Sequence, residues 1–189
     1  MTRDEAWALL TEFAQSDSLR KHALAVEAAM RAYARKFGED EEYWGIVGLL
    51  HDFDWEVHPA LPDHPLKGAD ILRARGVDEA LIHDIISHAD HSGVPRDTAL
   101  RKALFAVDEL TGFITATALV RPSRSLDDLE ARSVVKKLKE KSFAAAVNRE
   151  ELRAGAEALG VDFAEHVQFV IEAMRPIGPA LGLTRLQGQ

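Results

Sequence analysis

The chain has 189 residues, 47% of them apolar, which is enough for one substantial core and lies within the usual range of a single domain. It contains no cysteine, which excludes disulfides, thiolate zinc sites, iron–sulfur clusters and cysteine nucleophiles. A formal charge of −8 argues against binding a nucleic-acid duplex, which needs a broadly basic face, and favours small-molecule partners. The opening MTRDEAWALLTEFAQ lacks a basic segment followed by an apolar run. The longest uncharged apolar stretch, Thr111 to Val120, is about half a membrane span. A cytoplasmic protein with no membrane partner is expected, and a homodimer is left open.

Helical signals dominate. Thr2 and Glu5 form a capping box before Ala6, Leu9, Leu10 and Phe13, so a first helix runs to about Ala14. Asp17 or Ser18 then caps a longer helix with the stripe Leu19, His22, Val26, Ala29, Met30, Tyr33 and Phe37, closed by Gly38. A third helix, Glu41 to about Leu50, ends at His51–Asp52, and the stretch Phe53 to Pro65, with Pro59, Pro62 and Pro65, reads as a loop. Pro65 suits the first turn of a helix to Arg75, and Asp78 caps the next, with Leu81, Ile85 and His88 in line. A long helix from about Arg96 to Val120 follows the loop Ser92 to Pro95. Ser125 or Asp127 starts a helix through Lys139, and helices Asn148 to Leu159 and Asp162 to Met174 precede a Pro/Gly-rich tail. No strand-like alternation persists, so the expected class is all-α.

A His–Asp dipeptide is weak by itself, since this composition gives about 0.6 by chance, and His83–Asp84 is a second one, read as a solvated mid-helix pair. His51–Asp52 differs because it emerges from the apolar GIVGLL helix into an irregular loop, at the edge of a cavity. Other polar groups interrupt apolar faces in the same way. His22 breaks the second helix's stripe, and Asp108 falls among Leu104, Val107 and Leu110, where an unpaired buried carboxylate would cost several kcal/mol and so calls for a cation or charged partner. Imidazoles and carboxylates converging from three helices suit a divalent cation such as Mn, Fe, Ni, Co, Zn or Mg.

The order His22, His51–Asp52, Asp108, all on helices, resembles the HD-domain metal-dependent phosphohydrolase superfamily across about Leu19 to Val120. The resemblance implies a single HD-domain helical bundle over residues 1–189, with a core at about 19–120 and C-terminal helices at 125–174 packing on it. It also implies one metal bound by His22, His51, Asp52 and Asp108. Members with more ions add histidines before the distal Asp. Here His64 in HPLKGADIL and His88 in IISHADH fit, as in the similar bacterial diadenosine-tetraphosphate hydrolases, and Asp52 would then bridge two ions. His91 is the alternative to His88. The pair is followed by Asp54 and Glu56 where many binuclear members have Gly-Lys or Gly-Arg, so HDIGK becomes HDFDWE, and Glu56 joins the candidates. Lys67 is the nearest basic group in sequence and could meet a phosphate; its alternative is an exposed helix lysine. His58 and His166 are assigned to loop and packing.

The segment from Arg121 to Lys141 carries +3 against −11 for the remainder. Arg121 and Arg124, in a Pro-containing turn, offer planar forks for phosphate oxygens, with Lys137 extending the patch; the alternative is a solvated helix face. DELTGF and the VRPS turn also resemble an uncharacterised HDIG-type bacterial subgroup of predicted hydrolases. These readings converge on a metal-dependent phosphohydrolase in which activated water attacks a phosphate ester or anhydride of a nucleotide-like small molecule. The rival is a non-catalytic HD module that binds metal or nucleotide as a sensor.

Overall fold

Thr2 does open a helix, α1 (Arg3–Phe13): its amide donates to Glu5 Oε2 at 2.7 Å while the Glu5 amide donates to Thr2 Oγ1 at 3.3 Å. The second helix, α2 (Asp17–Phe37), is capped by Ser16, not by Asp17 or Ser18, because the Ser16 hydroxyl accepts from the Leu19 amide at 3.2 Å; Gly38 closes it at a left-handed φ of 74°. Asp40 caps α3 (Glu41–Leu50). The coordinates, a computed structural model, describe residues 1–185, and among these no strand occurs, as expected of an all-α chain. No described helix is long and apolar enough to cross a membrane.

Helices α2 and α3 pack closely where Gly48 meets Met30 and the α2 backbone. A Cβ on Gly48 would lie 2.9 Å from Met30 Cγ and 3.1 Å from the Val26 carbonyl oxygen. Only a residue without a side chain allows this approach. Buried Glu27 on α2 accepts from Arg3 Nε at 2.8 Å and from Arg31 Nε at 3.0 Å, which ties the start of α1 to α2.

Helix α4 (Asp63–Ala74) has a non-helical residue, His64, at φ −78° and ψ 134°, so the regular turns begin at Pro65 as the sequence indicates. Asp78 caps α5 (Glu79–Ile86), and His88 lies just past its end. Helix α6 (Ala99–Leu119) starts three residues later than its pattern suggests. Thr98 Oγ1 accepts from the Arg101 amide at 3.3 Å, whereas Arg96 donates to the carbonyls of Ser87, at 2.9 Å, and His88, and so belongs to the turn before it.

The chain divides into two compact units, the first Met1–Phe105 and the second starting at Ala106, part-way along α6. In the second, α7 (Ala131–Lys137) starts later than Ser125 or Asp127. Arg175 donates to the carbonyls of Leu126 at 3.1 Å and Leu129 at 2.9 Å, and Ser125 Oγ accepts from the Asp127 amide at 3.0 Å, which holds 125–129 in turns. Helices α8 (Arg149–Leu159) and α9 (Phe163–Met174) match their caps, Asn148 and Asp162. The Pro/Gly-rich tail includes a short helix, α10 (Gly178–Leu181). His166 packs as expected, its Nε2 hydrogen-bonded to the Ala106 carbonyl at 3.0 Å.

Gly48→Ala should lower stability by about 1–3 kcal/mol, because backbone of α2 cannot yield to the new methyl group. Denaturant unfolding measures this, and unchanged stability would show that the helices do not pack at this separation.

Candidate metal centre

The first unit brings four of the sequence candidates together around a fifth, the carboxylate of Asp52. Asp52 lies just beyond α3, in a turn that winds on through hydrogen bonds from the Phe53 amide to the Leu50 carbonyl at 3.2 Å and from Trp55 to Asp52 at 3.0 Å. Buried Phe53 anchors that turn edge-on against Phe13, their centroids 5.5 Å apart. The two Asp52 oxygens face different imidazole pairs. Oδ2 is 3.4 Å from His51 Nε2 and 3.9 Å from His22 Nε2; Oδ1 is 3.2 Å from His64 Nε2 and 3.4 Å from His88 Nε2. Within the pairs, His22 and His51 approach to 3.2 Å and His64 and His88 to 3.1 Å, nitrogen to nitrogen. His22, His51 and Asp52 present ligand atoms within 4.8 Å of one another, and Asp52, His64 and His88 do the same.

Second partners orient three of these rings. His51 Nδ1 donates to the Gly48 carbonyl at 2.8 Å, His88 Nδ1 donates to the Ile85 carbonyl at 2.9 Å, and His64 Nδ1 meets Asp54 Oδ1 at 2.9 Å. Each keeps a proton on Nδ1, so that Nε2, which faces Asp52, is the nitrogen left for a metal once its own proton is displaced. The donor set fits divalent cations: imidazole and carboxylate atoms without thiolate, with facing nitrogens at the spacing of about 3 Å expected of neighbouring ligands on an ion that bonds nitrogen at about 2.1 Å. Arg96, gripping the Ser87 and His88 carbonyls and ion-paired with Asp90 at 2.7 Å, fixes the turn that carries His88.

Asp108, on α6 in the second unit, is half-buried. His91 is not an alternative to His88, because its Nε2 donates to the His64 carbonyl at 2.7 Å. Glu56 caps the approach to α2, accepting from the Gln15 amide at 2.6 Å and the Ser16 amide at 3.0 Å. Lys67 is exposed and pairs with Asp63 one turn back at 2.8 Å. Arg121 is held by Asp128 at 3.0 Å and Ser133 at 3.2 Å, and Lys137 pairs with Glu140 at 2.7 Å, so both serve their own segment. Arg124 is exposed, at a left-handed φ of 46°. The pair His83–Asp84 is not simply solvated either: Asp84 is mostly buried and accepts from Arg101 Nε at 2.7 Å and Tyr43 OH at 2.8 Å.

One residue that sequence reasoning noted only as a departure is part of the centre. Asp54 is fully buried beneath His64. An acidic residue two positions after a His–Asp pair, next to an apolar Phe53, is the signal that could have identified it.

Electrostatics of the cluster are strong. Burial alone would raise the Asp52 pKa, but the charge of His51 and hydrogen bonds from His51 and His64 hold it well below the usual carboxylate range. Burial lowers the His64 pKa, and Asp52 and Asp54 outweigh that and raise it from 6.5 to about 9 in the metal-free protein. The folded value exceeds the unfolded one, so this stabilisation is complete below about pH 6.5 and is lost as the pH rises through about 9. An NMR titration of His64 in chelator-treated protein should show a midpoint near 9, with thermal stability falling over the same range. A midpoint near 6.5 would mean that the two carboxylates do not face the ring.

The HD domain family model matches residues 19–147, more than half of the chain. Among curated proteins, Ribonuclease Y of Oleidesulfovibrio alaskensis is 33% identical over 98 residues, covering 51% of this chain and 18% of that protein. Ribonuclease Y of Nitratidesulfovibrio vulgaris is 35% identical over the same coverage, and that of Pelobacter propionicus is 26% identical over 163 residues, 80% of this chain and 28% of the other. The chain therefore spans less than a third of the length of these relatives. No solved structure matches. With the family model covering the stretch that supplies all four histidines around Asp52, the chain belongs to the HD domain family.

Proposed function

We propose that this chain is a metal-dependent phosphohydrolase that cleaves a phosphate ester or anhydride of a nucleotide-like small molecule. The observation that carries this reading is the division of Asp52 between two imidazole pairs, Oδ2 toward His22 and His51 and Oδ1 toward His64 and His88. Asp108, by its place in the order His, His–Asp, Asp, would complete the first ligand set, and Asp52 would be shared with the second. Divalent cations bound there would polarise phosphoryl oxygens and lower the pKa of water. The chain's own part is to supply neutral Nε2 donors, held by the acceptors on Nδ1, and a carboxylate that stays ionised at working pH.

Trp55 supports the nucleotide-like substrate. The residue is 42% exposed and its ring meets the His64 ring edge-to-face at 5.0 Å, so an aromatic side chain adjoins the cluster, and bases stack on such surfaces. Arg124 remains the proposed phosphate contact of the basic segment, since Arg121 and Lys137 are engaged locally. The relatives named Ribonuclease Y favour a phosphodiester as one form of this substrate class.

The test couples metal analysis of protein purified without chelator to phosphate-release and cleavage assays on nucleoside phosphates, bis-nucleoside polyphosphates and short RNA. Wild-type protein should contain divalent metal and turn over at least one substrate. Asp52→Ala should lose both metal and activity by at least a hundredfold, and Trp55→Ala should lower kcat/KM about ten- to hundredfold on nucleotides with metal content unchanged, the loss of one stacked base being worth roughly 1–3 kcal/mol. Metal without turnover of any substrate would favour the sensor, and absence of metal would refute the proposal.

A further inference from the structure

We infer that Asp54 is a positioning residue for the second ion: it fixes and polarises His64 from behind, and Gly68 is the space that lets it do so. This rests on the two-ion reading of the cluster above.

Three observations support it. Asp54 is fully buried, and its Oδ1 receives the His64 Nδ1 hydrogen at 2.9 Å, while the other ring nitrogen, Nε2, approaches Asp52 at 3.2 Å. Its Oδ2 is buried with no hydrogen-bond partner. A buried carboxylate with one satisfied oxygen is costly to keep, and its single side-chain partner is a candidate metal ligand, so the cost falls where it can act on the metal. Finally, Gly68 on α4 faces this carboxylate so closely that a Cβ would lie 2.6 Å from Asp54 Cγ and 2.8 Å from Oδ2. Asp54 is short and enclosed, and cannot move aside as the end of a long side chain would.

A carboxylate on Nδ1–H locks the ring in the tautomer whose Nε2 lone pair is free for a cation, and it makes that nitrogen a better donor. His51 and His88 direct their Nδ1 atoms to neutral backbone carbonyls instead. Asp54 therefore makes His64 the strongest imidazole donor of its pair and gives the second position a higher share of negative charge. Trp55 lies edge-to-face with the same ring and limits its rotation on another side.

The experiment is calorimetric titration of chelator-treated protein with Mn²⁺ or Co²⁺, with Co²⁺ absorption spectra recorded at one and two equivalents. Wild-type protein should take up two ions. Asp54→Asn keeps the shape and a hydrogen-bond acceptor but removes the charge; it should weaken the second binding event about tenfold, and Asp54→Ala about a hundredfold, with the first event unchanged. Gly68→Ala leaves the carboxylate in the sequence but displaces it, and should weaken the same event and alter the Co²⁺ spectrum of that ion alone. Circular dichroism of each metal-free variant confirms folding. If Asp54→Asn and Gly68→Ala bind both ions as the wild type does, Asp54 serves packing only and the inference is overturned while the two-ion reading stands. Equal loss at both positions would likewise overturn it. Wild-type protein that binds a single ion would overturn both.

Discussion

A carboxylate placed among four imidazole nitrogens is the interaction on which the rest of the first unit depends. Asp52 stays ionised because His51, His64 and His88 surround it, and His64 is held cationic in the metal-free protein because Asp52 and Asp54 flank it. Neither arrangement is stable alone. Removing the carboxylate would bring like-charged or lone-pair-bearing rings together at 3.1 and 3.2 Å, and removing the rings would leave a mostly buried charge without compensation. Divalent cations would resolve both problems at once, since they would replace protons between the nitrogens and compensate the carboxylate charge.

Packing sets the distances that this chemistry uses. His22 comes from α2 and His51 from the end of α3, and Gly48 is what allows those helices to approach closely. The same glycine's carbonyl accepts from His51 Nδ1, so one residue controls both the position and the tautomer of a ligand. On the other side, the break at His64 ahead of Pro65 presents that imidazole from the start of α4, and Arg96 secures the turn that carries His88. His51, His64 and His88 are thus each anchored within three residues in sequence, which is how a short irregular segment achieves a defined geometry.

The parts legible in the sequence are those written in local pattern. His22 shows as a polar gap in an apolar stripe, and His51–Asp52 shows because it follows an apolar helix directly. Boundaries fixed by capping, at Thr2, Gly38, Asp78, Asn148 and Asp162, follow from side-chain chemistry within three or four residues. What escaped depends on distant partners. The segment 125–129 stays non-helical because Arg175 takes its carbonyls from about fifty positions away in sequence, and Asp84 is an ion-pair centre because Tyr43 and Arg101 reach it from other helices. The choice between His88 and His91 turns on where the turn after α5 points each ring, which helical periodicity past Ile86 cannot give. Asp54 was hidden for the same reason: its meaning lies in the approach of Gly68 and His64, ten or more residues away in sequence.

The account stands on Asp52 serving two cations, one through each oxygen. Anomalous diffraction from crystals grown with Co²⁺ tests this directly. The account predicts two peaks, one beside His22 and His51 and one beside His64 and His88, each about 2.1 Å from a different oxygen of Asp52. A single peak, or two peaks of which one lies away from Asp52, would contradict it.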